Sequence, residues 1–266
     1  MKAIKKIIFV ILVFFSFTAY SQDNRIYHLG SGKALRGNIY VLSCFVSDRN
    51  NEWTRQEKLQ VYNKLYRTQN WLIAQARRYN VWLNFEGGNF GLDRDIKLNH
   101  IDYGTGSGRE DVNVVTTVLR AIGYSNSLSF YNWALNNSNS SNVIVLVFVK
   151  GAGTSYAIPY NDPRIDSELY YLEGAVIYSH YSNGLELYDA TIAHEILHLF
   201  GAWDIYETFM QTRDREESAR RLFPNSIMLR IAQNIDTLEV DELTAWLIGW
   251  HNEAKDWYEW FNPYNH

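Results

Sequence analysis

The chain has 266 residues, of which 47% are hydrophobic, and a formal net charge of −4 at pH 7. This length supports one large domain with its own core, and an acidic chain without a basic tract is a poor partner for nucleic acid or an anionic membrane surface. The single cysteine, Cys44, excludes an internal disulfide and a thiolate metal cluster, and its apolar neighbours favour an inert core thiol.

The first 21 residues are typical of a secretory signal peptide. Three lysines among the first six residues supply positive charge, residues 7–17 are almost all apolar, and Ala19 and Ser21 place small side chains where signal peptidase cleaves. An uncleaved membrane anchor is the alternative, but the apolar run is short for a membrane span. We therefore predict a secreted or periplasmic protein without a membrane anchor after cleavage, in which residues 22–38 form an N-terminal extension.

Strands and helices alternate in the pattern of apolar residues. The predicted strands cover residues 39–46, 81–85 (ending at Gly87 and Gly88), 143–149, 153–159 and 175–179. The predicted helices cover residues 52–79, 109–122, 190–200, 216–222 and 239–250. Polar loops are predicted over residues 136–142 and 162–168. The unbroken apolar run over residues 143–149 is typical of a central strand, and Pro159 favours an edge strand over residues 153–159. Asp189 is the predicted cap of the helix over residues 190–200.

The run from residue 194 to residue 204 reads His-Glu-Ile-Leu-His-Leu-Phe-Gly-Ala-Trp-Asp. On a helix, His194 and His198 lie on one face, so both imidazoles can bind one Zn²⁺ ion. Glu195 then lies beside the metal without binding it, which suits a general base that takes a proton from activated water. Gly201 can adopt the left-handed conformation that ends the helix, and the turn brings Asp204 back as a third ligand.

This run resembles the extended zinc signature H-E-x-x-H-x-x-G-x-x-H of the metzincin clan of metallopeptidases. Asp204 replaces the last histidine of that signature, as in the snapalysin type of bacterial metzincin. The segment Asn-Ser-Ile-Met that ends at Met228 resembles the methionine turn of the clan. The resemblance implies that Met228 packs beneath the zinc ligands, a role that suits an adaptable thioether.

The resemblance also implies the fold. We expect an α+β protein of the zincin type, with an α/β/α sandwich-like upper lobe, a twisted mixed five-stranded sheet, an active-site helix and a smaller C-terminal lobe. The catalytic domain would cover residues 39–266, with the upper lobe over about 39–201 and the lower lobe over about 202–266. In the clan, an edge strand above the zinc binds the substrate in an extended antiparallel form. By order of elements, this strand would comprise Thr154, Ser155, Tyr156, Ala157 and Ile158.

Other side chains offer alternatives for the third ligand. His251 follows the last predicted helix and could replace Asp204. Glu216 and Glu217 could supply the glutamate that a second branch of H-E-x-x-H enzymes uses, although their charged surroundings are typical of a solvated helix face. His180, which follows a strand, could orient the site or stabilise an oxyanion, but a packing role is the more common one for such a residue.

The sequence thus favours a monomeric zinc endopeptidase that acts on protein or peptide substrates with one catalytic Zn²⁺ and with Glu195 as general base and acid. The main alternative is a secreted zinc-containing binding module for a host protein or glycan with little turnover. A hydrolase for non-peptide amides is a third possibility. Many clan members bind Ca²⁺, but the sequence shows no Asp-rich loop with recognisable calcium spacing.

Overall fold

The computed structural model describes residues 30–47, 51–94, 96–97, 113–160 and 172–264. The predicted signal peptide, the predicted loop over residues 162–168 and the start of the predicted helix over residues 109–122 lie outside these residues. Among the described residues, no helix is both long and apolar enough to cross a membrane.

The strands are β1 (Gly37–Ser47), β2 (Leu83–Phe90), β3 (Ile96–Lys97), β4 (Asn142–Ala152), β5 (Tyr156–Ile158) and β6 (Gly174–His180). The α-helices are α1 (Arg55–Arg78), α2 (Val114–Ala121), α3 (Ser127–Asn137), α4 (Asp189–His198), α5 (Arg213–Leu222) and α6 (Glu242–Leu247), and short 3₁₀ helices lie at Ile235–Thr237 and Asp256–Phe261.

Five strands form one mixed sheet in the order β2-β1-β4-β6-β5, and the short β3 pairs with the end of β1. The first four strands of this order are parallel, and β5 is antiparallel to β6 at the edge. The prediction of a mixed five-stranded sheet is confirmed. The α+β class is corrected to α/β, because parallel strands need crossover connections: α1 connects the parallel strands β1 and β2, and α2 and α3 precede β4, which is parallel to β1.

The central strand β4 separates two hydrophobic cores. Its side chains alternate: Ile144, Leu146 and Phe148 point into a core shared with α1 and α4. The valines at positions 143, 145, 147 and 149 point into a second core shared with α2 and α3. All of these side chains are at most 1% exposed, which explains the unbroken apolar run of this strand, since both of its faces are covered. The layers are therefore helices, sheet and helices.

Strand β2 runs through the two glycines that the sequence suggested as its end. Gly87 pairs with Val41 of β1 at φ +150°, and a Cβ at Gly87 would lie 2.0 Å from the Val41 carbonyl oxygen. The glycine therefore permits a close approach of two strands. The predicted end at this position is wrong, because glycine marks backbone proximity here and not a turn.

Helix α3 is missing from the sequence-based prediction. Its sequence mixes serine, asparagine and aromatic residues, which have weak helix propensity. The Asn126 side chain accepts a hydrogen bond from the Ser129 N–H at 2.8 Å, forming a capping box, and Phe130 and Ala134 are fully buried. Capping and burial thus outweigh propensity. The predicted loop over residues 136–142 is shorter in the structure, since α3 ends at Asn137 and β4 begins at Asn142.

The last helix is also shorter than the predicted range of residues 239–250. Glu239 exchanges backbone hydrogen bonds with Asn225 and Ile227 at 2.9 and 3.0 Å and is therefore extended. Asp241 then caps α6 by accepting the Thr244 N–H at 2.9 Å. Apolar periodicity alone cannot reveal this competing backbone pairing.

Part of the predicted N-terminal extension is packed into the fold. Leu35 is fully buried, and its N–H donates to the Ile248 carbonyl oxygen at 2.9 Å. The indole N–H of Trp250 donates to the Leu35 carbonyl oxygen at 2.6 Å. The segment before β1 therefore holds the C-terminal part of the chain against the sheet.

Candidate metal centre

Helix α4 carries the predicted zinc motif and is anchored to α1. Arg67 donates from Nε and Nη2 to the Asp189 carboxylate at 2.7 and 2.9 Å, and the Thr68 hydroxyl donates to the Asp189 carbonyl oxygen at 3.0 Å. The prediction that Asp189 caps the helix is wrong: Asp189 is the first helical residue, and Tyr188 occupies the N-cap position without a side-chain cap. The carboxylate is instead paired with a guanidinium from the neighbouring helix.

Two imidazoles on α4 converge on one point. The Nε2 atoms of His194 and His198 lie 3.0 Å apart, and the ring planes are inclined by 89°. Both side chains face the same side of the helix because they are four residues apart. The predicted pairing of these histidines is therefore present in the structure.

A backbone carbonyl orients each imidazole. Nδ1 of His194 lies 3.1 Å from the Ile227 carbonyl oxygen, and Nδ1 of His198 lies 2.8 Å from the Ala202 carbonyl oxygen. A carbonyl oxygen only accepts hydrogen bonds, so each Nδ1 must carry a proton and donate it. When the rings are neutral, each Nε2 then presents a lone pair towards the other ring. This is the arrangement that protein metal sites use to orient histidine ligands.

The chain reverses at Gly201 and brings Asp204 to the two histidines. Gly201 has φ +96°, in the left-handed region that glycine adopts readily. The N–H groups of Gly201 and Ala202 donate to the carbonyl oxygens of His198 and Leu197 at 3.0 and 3.1 Å, a pattern that ends helices at a left-handed glycine. After this turn, Asp204 Oδ1 lies 3.2 Å from Nε2 of both histidines.

The three atoms fit a zinc ion. Asp204 Oδ1 is buried and has no hydrogen-bond partner among the described residues, and two imidazole lone pairs beside a carboxylate oxygen repel unless a proton or cation lies between them. Tetrahedral Zn²⁺ with ligand bonds of about 2.0–2.1 Å separates its ligand atoms by about 3.3 Å. The separations here are 3.0–3.2 Å. Within the part of the chain that the structure describes, this is the one such cluster of potential metal ligands.

The same proximity sets the protonation of these groups when no metal is bound. Burial favours the neutral form of Asp204, but the two imidazoles outweigh burial and hold the pKa of this carboxyl well below its ordinary value. Burial likewise opposes a charge on His198, but the Asp204 carboxylate outweighs it and raises the pKa of His198 to about 9. A metal ion and a proton therefore compete for the cluster.

Glu195 lies where two cavities meet. One cavity of about 550 Å³ and a second of about 380 Å³ share Glu195 in their linings, together with His194, Thr154, Ser155 and Tyr206. Glu195 itself is 5% exposed. A chain molecule that spans both cavities therefore passes the Glu195 carboxylate and the histidine cluster. This placement suits the predicted role of a base beside the metal ligands.

Tyr206 is a further member of this junction that the sequence did not reveal. Its ring centroid lies 6.4 Å from that of His194. Burial raises the pKa of the Tyr206 phenol above its ordinary value, and the carboxylates of Asp204 and Glu195 add to this effect. The hydroxyl therefore keeps its proton and can donate a hydrogen bond. Its position two residues after Asp204 lies in an irregular segment, where spacing gives no signal.

The predicted edge strand over residues 153–159 is shorter in the structure, since β5 comprises Tyr156–Ile158 and Thr154 and Ser155 precede it. Thr154, Ser155, Tyr156 and Ala157 line the smaller cavity with the two histidines and Asp204. The side chains of Tyr156 and Ile158 both belong to the core on the α2 and α3 face of the sheet, and Ile158 is not part of this cavity lining. Strand β5 ends the strand order, so its outer edge has no strand partner among the described residues and borders the cavity.

The alternative ligands lie elsewhere. The His251 imidazole Nε2 is 2.9 Å from the Glu242 carbonyl oxygen, and its ring stacks on Tyr79. Glu216 accepts the Glu207 N–H at 2.6 Å and pairs with an arginine one turn later.

Two other predicted candidates take part in local pairs. Glu217 lies 3.3 Å from the guanidinium of Arg213. Nδ1 of His180 lies 3.0 Å from the Ser179 hydroxyl. None of the alternative ligands joins the cluster that Asp204 completes.

The turn at Met228 connects to the site through its backbone. Met228 is fully buried, and its carbonyl oxygen accepts the Ile205 N–H at 3.2 Å, directly after Asp204. The preceding carbonyl, of Ile227, accepts the proton of His194 Nδ1. The segment thus contacts both halves of the zinc motif.

Gln211 is a second residue that the sequence did not reveal. Its side chain is buried, and its Nε2 donates to the carbonyl oxygens of Asp204 and Phe261 at 2.8 and 2.7 Å. Gln211 therefore ties the segment that carries Asp204 to the C-terminal 3₁₀ helix. A single glutamine in an irregular segment has no spacing pattern that would mark it in a sequence.

No protein-family model matches this chain, and no curated protein matches it.

Proposed function

We propose that this protein is a secreted or periplasmic zinc endopeptidase of the metzincin type, which hydrolyses protein or peptide substrates. The observation that carries the proposal is the convergence of His194 Nε2, His198 Nε2 and Asp204 Oδ1 to within 3.0–3.2 Å of one another, with Glu195 beside them at the junction of two cavities. The turn at Met228 and the predicted signal peptide add support.

Each residue of the site would have a different role in peptide hydrolysis. His194, His198 and Asp204 would hold a zinc ion, which when bound would lower the pKa of water and polarise a carbonyl. Glu195 is not a member of the ligand cluster, and its carboxylate would take a proton from the attacking water and deliver it to the leaving amine. The protonated Tyr206 hydroxyl can donate a hydrogen bond to the carbonyl oxygen, where negative charge develops.

The cleft suggests how a peptide would lie. An extended peptide that pairs with the outer edge of β5 in the antiparallel sense places its N-terminal part near Ala157 and Pro159, which line the smaller cavity. Its C-terminal part then lies near Gly153 and Thr154, which line the larger cavity. The residue after the scissile bond would therefore enter the larger cavity. Backbone pairing of this kind gives affinity with little dependence on peptide sequence.

The test compares wild-type protein with Glu195→Gln, which keeps the size of the side chain and removes the base. Zinc content and cleavage of casein and of a peptide library are measured on both. We expect about one zinc per chain in each and a loss of cleavage rate of about 10²–10⁴-fold in Glu195→Gln, the usual contribution of general acid–base catalysis. The matched control is Glu186→Gln, since Glu186 is a glutamate with a 72% exposed side chain, and its activity should equal that of wild type.

The possible outcomes distinguish the peptidase from a zinc-containing binding module and from a protein without a metal site. Zinc in both proteins with cleavage in neither would reject the peptidase and favour a zinc-containing binding module. If neither protein retains zinc after reconstitution, the proposed metal site is wrong. Equal cleavage by wild type and Glu195→Gln would reject Glu195 as the base.

A further inference from the structure

Asp241 is a buried carboxylate outside the metal cluster. It is 4% exposed and accepts three hydrogen bonds. The Thr244 N–H donates to Oδ1 at 2.9 Å, and the hydroxyls of Thr244 and Ser226 donate to Oδ2 at 2.7 and 2.6 Å. The Thr244 bonds cap helix α6. The Ser226 bond reaches a different segment, 15 residues earlier in the chain, and helix capping does not require it.

Ser226 passes this contact on to the turn that precedes Met228. The Ser226 side chain is fully buried, and its Oγ accepts the Met228 N–H at 3.1 Å. Its single hydroxyl proton is donated to Asp241, which leaves the lone pairs of Oγ for the backbone. The side chain therefore fixes both ends of a three-residue segment, with Ile227 between them.

Ile227 is the point where this segment meets the metal cluster. Its N–H donates to the Glu239 carbonyl oxygen at 3.0 Å, and its carbonyl oxygen accepts the proton of His194 Nδ1 at 3.1 Å. The hydrogen bond on Nδ1 sets the tautomer and the direction of the ring, and with them the position of the Nε2 lone pair. The chain of contacts runs from Asp241 through Ser226 and the Ile227 carbonyl to His194.

We propose that Asp241 is a positioning residue for the metal centre, acting through Ser226 on the backbone that orients His194. This inference rests on the proposed zinc site, and it assigns a role that the zinc motif does not contain. A carboxylate suits this position because it only accepts hydrogen bonds, so it directs the Ser226 hydroxyl proton away from the Met228 N–H. The outcome is a turn whose geometry is set by a buried charged group and not by packing alone.

The structure offers a matched pair of variants. Ser226→Ala and Thr244→Val each remove one hydroxyl that donates to the same oxygen of Asp241. Both should lower the melting temperature, because each weakens the bonding of a buried carboxylate. Only Ser226 leads to the metal ligands. Ser226→Ala should therefore raise the zinc dissociation constant by about 10-fold, at the low end of the effect of outer-shell substitutions, and Thr244→Val should leave it unchanged.

Zinc dissociation constants are measured by competition with a chelator, and the Co²⁺-substituted proteins are compared by their visible absorption bands, which report ligand geometry. We expect altered bands for Ser226→Ala and wild-type bands for Thr244→Val. Equal zinc affinities and equal Co²⁺ spectra for the two variants would overturn the positioning role of Asp241. If Ser226→Ala does not fold, Asp241→Asn replaces it, because asparagine keeps the shape and can donate to Ser226 Oγ. Wild-type zinc affinity and Co²⁺ bands in Asp241→Asn would then overturn the proposal.

These readouts separate the positioning role from the peptidase proposal. A wild-type protein that binds zinc tightly without cleaving peptides would contradict the peptidase alone, while the affinity difference between the two variants would still support the role of Asp241. Cleavage by wild type together with identical behaviour of the two variants would contradict the role of Asp241 alone.

Discussion

The sheet region, residues 37–180, and the C-terminal region, residues 202–264, are held together in different ways. Strands β1, β4 and β6 pair along their lengths and bury apolar side chains on both faces. The C-terminal region has only two α-helices and short 3₁₀ helices among its described residues. Polar side chains such as Gln211 and Asp241 connect its irregular segments.

The cluster of potential metal ligands, His194, His198 and Asp204, lies between these two regions. His194 and His198 come from a regular helix that packs against α1, whereas Asp204 and the carbonyls that orient the rings come from turns held by side-chain hydrogen bonds. Stability of the fold should therefore depend mainly on the sheet region, and zinc affinity should depend as much on the C-terminal region. Four predictions test this division.

The largest effect on stability is expected in the sheet. Phe148→Ala removes a fully buried ring that stacks on Phe45, and it should lower the free energy of unfolding by about 3–5 kcal/mol. The zinc affinity of the folded protein should stay close to wild type. Phe209, with 97% of its surface exposed, provides the control, since Phe209→Ala should change stability by no more than about 0.5 kcal/mol. Urea unfolding checks both values, and a loss below 1 kcal/mol for Phe148→Ala would contradict the proposed role of the core.

A smaller loss of stability with a larger effect on the metal is expected for Gln211→Ala. Removing this amide takes a hydrogen-bond donor from the buried Phe261 contact and from the partly buried Asp204 contact, which costs about 1–3 kcal/mol, and it frees the backbone of Asp204. Zinc affinity should therefore fall as well.

The control for Gln211→Ala comes from the sheet region. Asn142 Oδ1 accepts the N–H groups of Lys33 and Ala34 at 2.8 and 3.2 Å, away from the zinc motif. Asn142→Ala should lower stability without changing zinc affinity. Competition with a chelator measures the zinc affinity of both variants. Equal affinities would contradict the prediction that zinc binding depends on the C-terminal region more than on the sheet region.

The pH dependence of the metal-free protein reports the contact between helix α4 and the C-terminal region directly. The pKa of His198 is raised to about 9 by Asp204, although burial opposes the charge. A folded-state pKa above the ordinary value of about 6.5 means that this pair stabilises the protein fully below pH 6.5, and the contribution is lost as the pH rises towards 9.

Urea unfolding of metal-free protein between pH 6 and 10 measures this loss. Zinc affinity should rise over the same interval, because fewer protons compete with the metal. Asp204→Asn should flatten the decline in stability. A wild-type profile that is already flat would show that His198 and Asp204 do not interact in solution.

The smallest effect is expected at the surface contact between α1 and the C-terminal region. Arg78 Nη2 lies 2.8 Å from the Glu239 carboxylate, and both side chains are partly exposed. Solvent-exposed ion pairs contribute about 0.2–1 kcal/mol and are screened by salt. Glu239→Gln should lower the free energy of unfolding by no more than that at low salt, and the difference should vanish in 1 M NaCl. A loss that persists in salt would show that packing, and not charge, holds the two regions together.

The central strands and the long helix of the sheet region were predicted more accurately from sequence than the last helix of the C-terminal region. Strands β1, β4 and β6 and the long helix α1 lie close to their predicted ranges, because the strands are short, nearly unbroken apolar runs and the helix repeats apolar residues at helical spacing. The helix over residues 239–250 was overestimated, since Glu239 pairs with the backbone of a distant segment. Helix α3 was missed because capping and burial, and not periodicity, stabilise it.

The sequence by itself determined which side chains form the candidate metal centre. The spacing of His194, Glu195 and His198 within one helix, and a glycine before Asp204, were sufficient to place these groups together, because helix geometry is local and repeats every 3.6 residues. The apolar run of β4 was likewise sufficient to identify the centre of the sheet.

Only the tertiary structure decided what orients this chemistry. Tyr206, Gln211 and the pair of Ser226 with Asp241 lie in turns, and their partners are remote in sequence or belong to the backbone of other segments. A hydrogen bond depends on distance and direction in space, and neither is encoded in the spacing of residues along an irregular chain. The ligands of the candidate metal centre can therefore be found in the sequence, whereas the contacts that hold them in place require the fold.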